Sequence, residues 1–168
     1  MADGMTAATE AATLYERDFH LWTREQAVAL RAAAVGADAS LDHENLAEEI
    51  ESLGRRDLHD VTSRLSTVVE HLLKLEFSPA RDPREGWVGT VGRARDEVED
   101  ILAASPSLRR KARDAVPEAV RRGGRIAARA LRERGESDAA LLAHLSAGGY
   151  TAEQVLGDWW PDEPGPAA

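Results

Sequence analysis

Leu58, Val61, Leu65, Val68, Leu72 and Leu75 recur at alternating spacings of three and four, which puts all six on one stripe of a helix. A strand cannot carry such a seam, because its successive side chains face opposite sides. Nowhere in the 168 residues is there a run with strand-like alternation, and no internal repeat is present. Ala and Leu number 48 against 14 for Val and Ile, a bias toward helix formers. The chain is therefore predicted to be all-α: a single compact bundle of five to seven helices around a long central helix at about 42–77.

The boundaries follow from caps and breakers. Thr13-Leu14-Tyr15-Glu16 and Thr23-Arg24-Glu25-Gln26 both have the form of a capping box, which predicts two short consecutive helices, the second starting at Thr23. Gly36 closes that region, Asp42 caps the third helix, and Ser78-Pro79 stops it after Phe77. Leu46, Ile50 and Leu53 form an earlier stripe that is out of register with the seam by one residue near Gly54, so a bend or break is expected there. Trp87, Val88, Val91, Val98, Ile101 and Leu102 mark a fourth helix. Ser105-Pro106 starts a fifth, with a kink or restart expected at Pro117 and a weak turn at Gly123-Gly124. Gly86, Gly89 and Gly92 line one side of the fourth helix and predict a close helix approach. Gly135 ends the fifth helix, Ser137 caps a sixth that Gly148-Gly149 breaks, and Thr151 to Gln154 is one more capping box. The organisation expected is a flexible start at 1–12, one helical domain at 13–161 and a loose tail at 162–168.

Four segments in this order, LYERDFHLWTREQ, ENLAEEIESLGR, EHLLK and TAEQVLGDWWP, carry a family likeness. Between Leu14 and Pro161 the chain resembles the bacterial family catalogued as domain of unknown function 29. Trp87 and Ser105 to Leu108 fit the family pattern too, while Leu75 stands where an aromatic residue is more usual and LLAHLSAGG is divergent. The resemblance implies an all-helical fold and brings no catalytic residue with it.

The formal net charge is −9, yet it is unevenly spread: residues 1–80 carry −8, residues 81–134 carry +5, and the last 34 carry −6. From Ser105 to Arg134 ten bases meet only Asp114, Glu118 and Glu133. Arg121, Arg125 and Arg129 lie four apart, Arg132 continues the row, and Arg109 and Arg113 repeat the spacing earlier. Like charges so spaced repel, so an opposing negative surface is expected. Glu44, Glu48 and Glu51 of the third helix would supply one within the chain, as an internal charge zipper. An acidic protein partner would supply another, and nucleic-acid phosphate a third.

Chemistry-bearing patterns are sparse. Cysteine is absent, which excludes disulfides, thiolate metal sites and a cysteine nucleophile. No phosphate-cradling glycine loop, nucleophile elbow or Glu-x-x-His pair occurs among the motifs, and neither cofactor nor metal is expected. His71 flanks the heptad seam and is read first as a histidine at a helix contact. A polar site of His71 with Glu48 and Glu49 would need a partner from another helix, because more than twenty residues of helix separate them. No catalytic residue is assigned, and an enzyme is the lesser reading. No apolar run reaches the roughly 20 residues of a membrane helix, and the first twelve residues lack a secretory pattern. The expectation is a cytoplasmic, non-enzymatic interaction module binding a protein partner or a second copy. Nucleic-acid association through 106–134 is the alternative, and a metal-dependent or other enzyme with a site near His71 is the second.

Overall fold

The heptad seam forms the spine of the protein. In the structure, a computed structural model that describes residues 13–34 and 41–162, Val61, Leu65, Val68, Leu72 and Leu75 are all buried, together with Val69 and Leu73 beside them. Seven helices occur among the described residues: α1 (13–17), α2 (Phe19–Ala33), α3 (His43–Phe77), α4 (Arg84–Ala104), α5 (Leu108–Glu133), α6 (Ala139–Ser146) and α7 (Ala152–Leu156). No strand is present among those residues, and no helix there is long and apolar enough to cross a membrane. The predicted Gly36 stop, the start at 1–12 and the tail beyond Asp162 lie outside the described residues.

The ends of the helices obey the expected chemistry at most places. Asp42 accepts from the Asn45 amide, Gly135 takes a left-handed φ of 73° and lets Glu136 N–H reach back to the Leu131 carbonyl, and Thr151 with Gln154 closes a capping box. Thr23 does not start a helix. Asp18 is the cap of α2, accepting from the Leu21 amide, and Thr23 lies buried inside that helix with its hydroxyl donating to the His20 carbonyl. The Thr-x-x-Gln pattern there is a coincidence of composition. Asp138, not Ser137, precedes the first residue of α6.

Three expected interruptions are absent, and two of them for the same reason. α3 runs unbroken through Gly54 and α5 unbroken through Pro117 and Gly123-Gly124. A Cβ on Gly54 would lie 2.4 Å from Thr23 Oγ1, and one on Gly123 would lie 2.5 Å from the Ser66 carbonyl oxygen. Each glycine marks a close crossing of helices, a role that sequence alone does not separate from a break. Gly86, Gly89 and Gly92, expected at such a crossing, meet nothing within 4 Å.

The described residues form two compact units, one from Met1–Asp60 with Asp100–Lys111 and one from Val61–Glu99 with Ala112–Ala168. The second has an ordinary apolar core of the seam, Trp87, Val91, Val98, Val116, Leu131 and Leu141. The first buries only small or few apolar groups, Ala27, Ala47, Leu102 and Leu108, and beside them the polar Asp18, His20, Thr23 and Ser105. Of the earlier stripe, Leu46 and Leu53 are 42% and 37% exposed and Ile50 is half-buried. Ala47 and Gly54 take the inner positions.

Candidate functional site

Arg121, Arg125 and Arg129 are exposed on one side of α5. Arg113 is twelve residues from Arg125, about 120° round the helix at about 100° per residue, so it projects from a different side. Arg109 is exposed in the first turn of α5. The arginines therefore do not make one continuous stripe.

The acids Glu44, Glu48 and Glu51 of α3 have partners within the first unit. Arg31 reaches Glu44 and Glu51 at 3.1 Å each, and Arg55 reaches Glu48 at 3.6 Å and Glu51 at 3.8 Å. On α5 the pairs are mostly local: Arg121 with Glu118, Arg129 with Glu133 at 2.7 Å, Arg132 with Asp138, and Arg113 with Glu153. Arg122 and Arg125 have no carboxylate partner among the described residues. Arg125 and Arg129 border a shallow groove of about 380 Å³ with Ile126, Ala130 and Glu133, in which Ile126 is 42% exposed.

His71 is half-buried, and its Nδ1–H donates to the Thr67 carbonyl one turn back at 3.0 Å. Glu48 pairs with Arg55, and Glu49 is exposed. Unbroken helix separates both acids from His71 along α3. Among the described residues no group of three or more His, Asp or Glu could hold a metal.

The densest polar arrangement was not visible as a motif. It lies where α2 begins, in the first unit. Asp18 Oδ1 caps α2 and also accepts from the Ser107 hydroxyl at 2.8 Å, while Oδ2 accepts from the Ser107 amide at 2.7 Å. One carboxylate thus satisfies backbone donors at the starts of two helices, where the macrodipoles favour negative charge. The His20 amide donates to Ser105 Oγ at 3.1 Å. The His20 ring bridges in the other direction, its Nδ1–H donating to the Gly54 carbonyl at 3.0 Å. That bond leaves Nε2 as an acceptor, and Lys111 Nζ donates to it at 2.7 Å.

Burial first, and then the Lys111 ammonium, holds the His20 imidazole below the usual histidine range. Lys111 is also held below its ordinary value, by burial and by Arg24 and Arg110. Asp57 lines a neighbouring cleft of about 370 Å³ with Phe19, Asp100, Ile101, Ala104 and Ser105, and burial raises its carboxyl.

A histidine whose folded pKa is depressed binds its proton more readily in the unfolded chain. Its stabilising contribution is complete above about pH 6.5, the ordinary histidine value, and is lost as pH falls through the folded value. The melting temperature of the wild type is expected to fall more steeply between about pH 7.5 and about pH 5.5 than that of His20→Gln, which cannot titrate there. Circular dichroism melts compare the two slopes, and parallel slopes would refute the assignment whatever the absolute stabilities.

With this geometry in place, the likenesses to known proteins are brief. A family model described as domain of unknown function DUF29 matches residues 14–160. A crystal structure of an alpha-helical protein of unknown function from Rhodospirillum rubrum is similar in fold, with a TM-score of 0.65 and 23% identity over 88% of this chain and 98% of that one. No protein of curated function matches. The match over 14–160 takes in the cap at Asp18, the seam of α3 and the end of α7, and the chain belongs to the DUF29 family.

Proposed function

We propose that the protein is a non-enzymatic, cytoplasmic interaction module whose exposed α5 face binds an acidic protein partner. The observation that carries this reading is that Arg122 and Arg125 have no carboxylate partner among the described residues while the acids of α3 are taken by Arg31 and Arg55. The groove beside them supports it. Ile126 and Ala130 offer apolar contact between arginines, the mixture found at protein interfaces rather than at solvated charge runs.

The test is capture with Arg121, Arg125 and Arg129 all changed to Ala. These side chains are exposed, and surface pairs are worth about 0–1 kcal/mol, so the variant should fold normally. The wild type should retain an identifiable acidic protein that the folded variant loses. Release by nuclease, with retention that falls steeply as salt rises, would replace the protein partner by nucleic acid. A second copy as the partner would appear as a dimer mass in light scattering that the variant lacks. Equal capture by wild type and folded variant would end the proposal.

A further inference from the structure

Of the 21 bases 19 are arginine, and the two lysines sit in opposite surroundings. Lys74 makes an ion pair with the Glu70 carboxylate one turn back on α3. Lys111, in the first turn of α5, donates instead to a ring nitrogen, His20 Nε2, at 2.7 Å. The tautomer is set from the other side of the ring, where Nδ1–H donates to the Gly54 carbonyl at 3.0 Å. Three helices thus aim one acceptor at one amine: α2 carries the buried ring, α3 the carbonyl and α5 the lysine.

A neutral imidazole within hydrogen-bond reach of an amine is the arrangement that activates a nucleophile, because a nitrogen that gains a bond to carbon must shed a proton. The place also disfavours the charged ammonium. A cation at the start of a helix meets the positive end of the macrodipole, and the Asp18 carboxylate there is spent on Leu21 and Ser107. Burial acts on Lys111 in the same sense and lowers its pKa. The side chain is only half-buried, so its amine can be reached from solvent.

We infer that Lys111 is a modification site whose amine takes an acyl group from a small acyl phosphate, with His20 as the base that receives its proton. The Nζ lone pair forms a C–N bond with the acyl carbon, the C–O bond to phosphate breaks with its electrons on the leaving phosphate, and the nitrogen's proton passes to His20 Nε2 and on to water. An acyl donor suits the site better than an aldehyde. The amide product keeps one N–H to donate to Nε2, whereas an imine keeps an N–H only in the charged form that this place opposes. An anionic donor suits it too, since Lys111 follows Arg109 and Arg110 at the positive end of α5. Lys111 is not among the arginine positions of the preceding proposal, and its reactivity is independent of them.

The full-length protein incubated with acetyl phosphate at about pH 7.5, where an ordinary lysine is almost wholly protonated, tests the site by mass spectrometry of Lys111 and Lys74. The reference is the N-terminally capped peptide of residues 105–114, in which Lys111 is the single amine and keeps its arginine neighbours. Lys111 in the folded protein should react about 10-fold faster than in the peptide, a part of the about 100-fold that a positioned base contributes, and faster than Lys74. Burial without activation gives the opposite sign, because a covered amine reacts more slowly than a free one. His20→Gln, with its fold checked by circular dichroism, should bring Lys111 down to the peptide rate or below. Folded wild type reacting at Lys111 no faster than the peptide would overturn the site, and so would a folded His20→Gln protein that keeps the wild-type rate. If that variant does not fold, the comparison of wild type with peptide decides alone.

Discussion

Gly123→Ala is expected to destabilise the protein by about 2–3 kcal/mol, against the ordinary trend for a helix, where Gly to Ala gains up to about 1 kcal/mol. The sign reverses because of what the new methyl meets. A Cβ on Gly123 would stand 2.5 Å from the Ser66 carbonyl oxygen, 2.9 Å from the Glu70 amide nitrogen and 2.9 Å from Val69 Cβ. Two of these are backbone atoms of α3, which cannot swing aside as a side chain can. The helices must separate, and the buried Val69 and Ala119 would lose contact with them. Two neighbouring substitutions calibrate the effect. Gly124→Ala meets only the tip of the Leu145 side chain, at 2.6 Å, and should cost less. Gly89→Ala on α4 meets nothing within 4 Å and should gain about 0.5–1 kcal/mol. Urea unfolding of the three variants gives the order directly. A Gly123→Ala protein as stable as wild type would remove the close crossing of α3 and α5 in the second unit.

That glycine also shows what the sequence could and could not convey. The seam from Val61 to Leu75 was legible because a long run of one period admits a single reading, and the caps at Asp42 and Thr151 were legible because they flank obvious runs. A glycine inside a helical run has two meanings, a break or a close approach, and only the partner's position chooses between them. The partner of Gly54 is Thr23, 31 residues earlier, and that of Gly123 is Ser66, 57 residues earlier. The one-residue slip near Gly54 marks no bend or break, since α3 runs unbroken from His43 to Phe77.

The candidate sites were less legible still. The arginine row was visible as spacing, but spacing carries no information about which arginines are already paired. Arg121 and Arg129 have local acids at three and four residues, and Arg125 has none among the described residues. The Asp18, His20 and Lys111 arrangement joins residues about 90 positions apart. No local pattern announces it, because each of its hydrogen bonds goes to backbone or to a lone side chain from another helix. Near the end of the chain Trp159 packs 5.4 Å from Tyr150, and Trp160 lies under a guanidinium.

That guanidinium belongs to Arg95, and Arg95→Met is expected to release α7. The five residues of α7 are too few to hold a helix by themselves, and the last carbonyls of a helix have no partner within it. Arg95 supplies them from α4. Its Nη2 donates to the Gln154 carbonyl at 2.7 Å and to the Trp159 carbonyl at 2.8 Å, and its Nε donates to the Val155 carbonyl at 3.2 Å. Trp160 covers the group at 5.1 Å, and burial lowers its pKa while Asp158 opposes the shift. Charged hydrogen bonds contribute about 1.5–3 kcal/mol each and are not additive, so a total loss of about 3 kcal/mol is reasonable. Met keeps most of the apolar length of the side chain, so the loss reports the fork rather than packing. Arg95→Lys should rescue little, since one ammonium cannot reach three carbonyls spread over six residues. Hydrogen exchange should show protection lost at Val155 and Leu156 while the amides of the α3 seam stay protected, because Val155 is the buried anchor of α7 and the seam is packed independently of it. Wild-type protection of α7 in Arg95→Met would mean that Val155 and Trp159 hold the segment by packing alone, and that the three carbonyls find water at little cost.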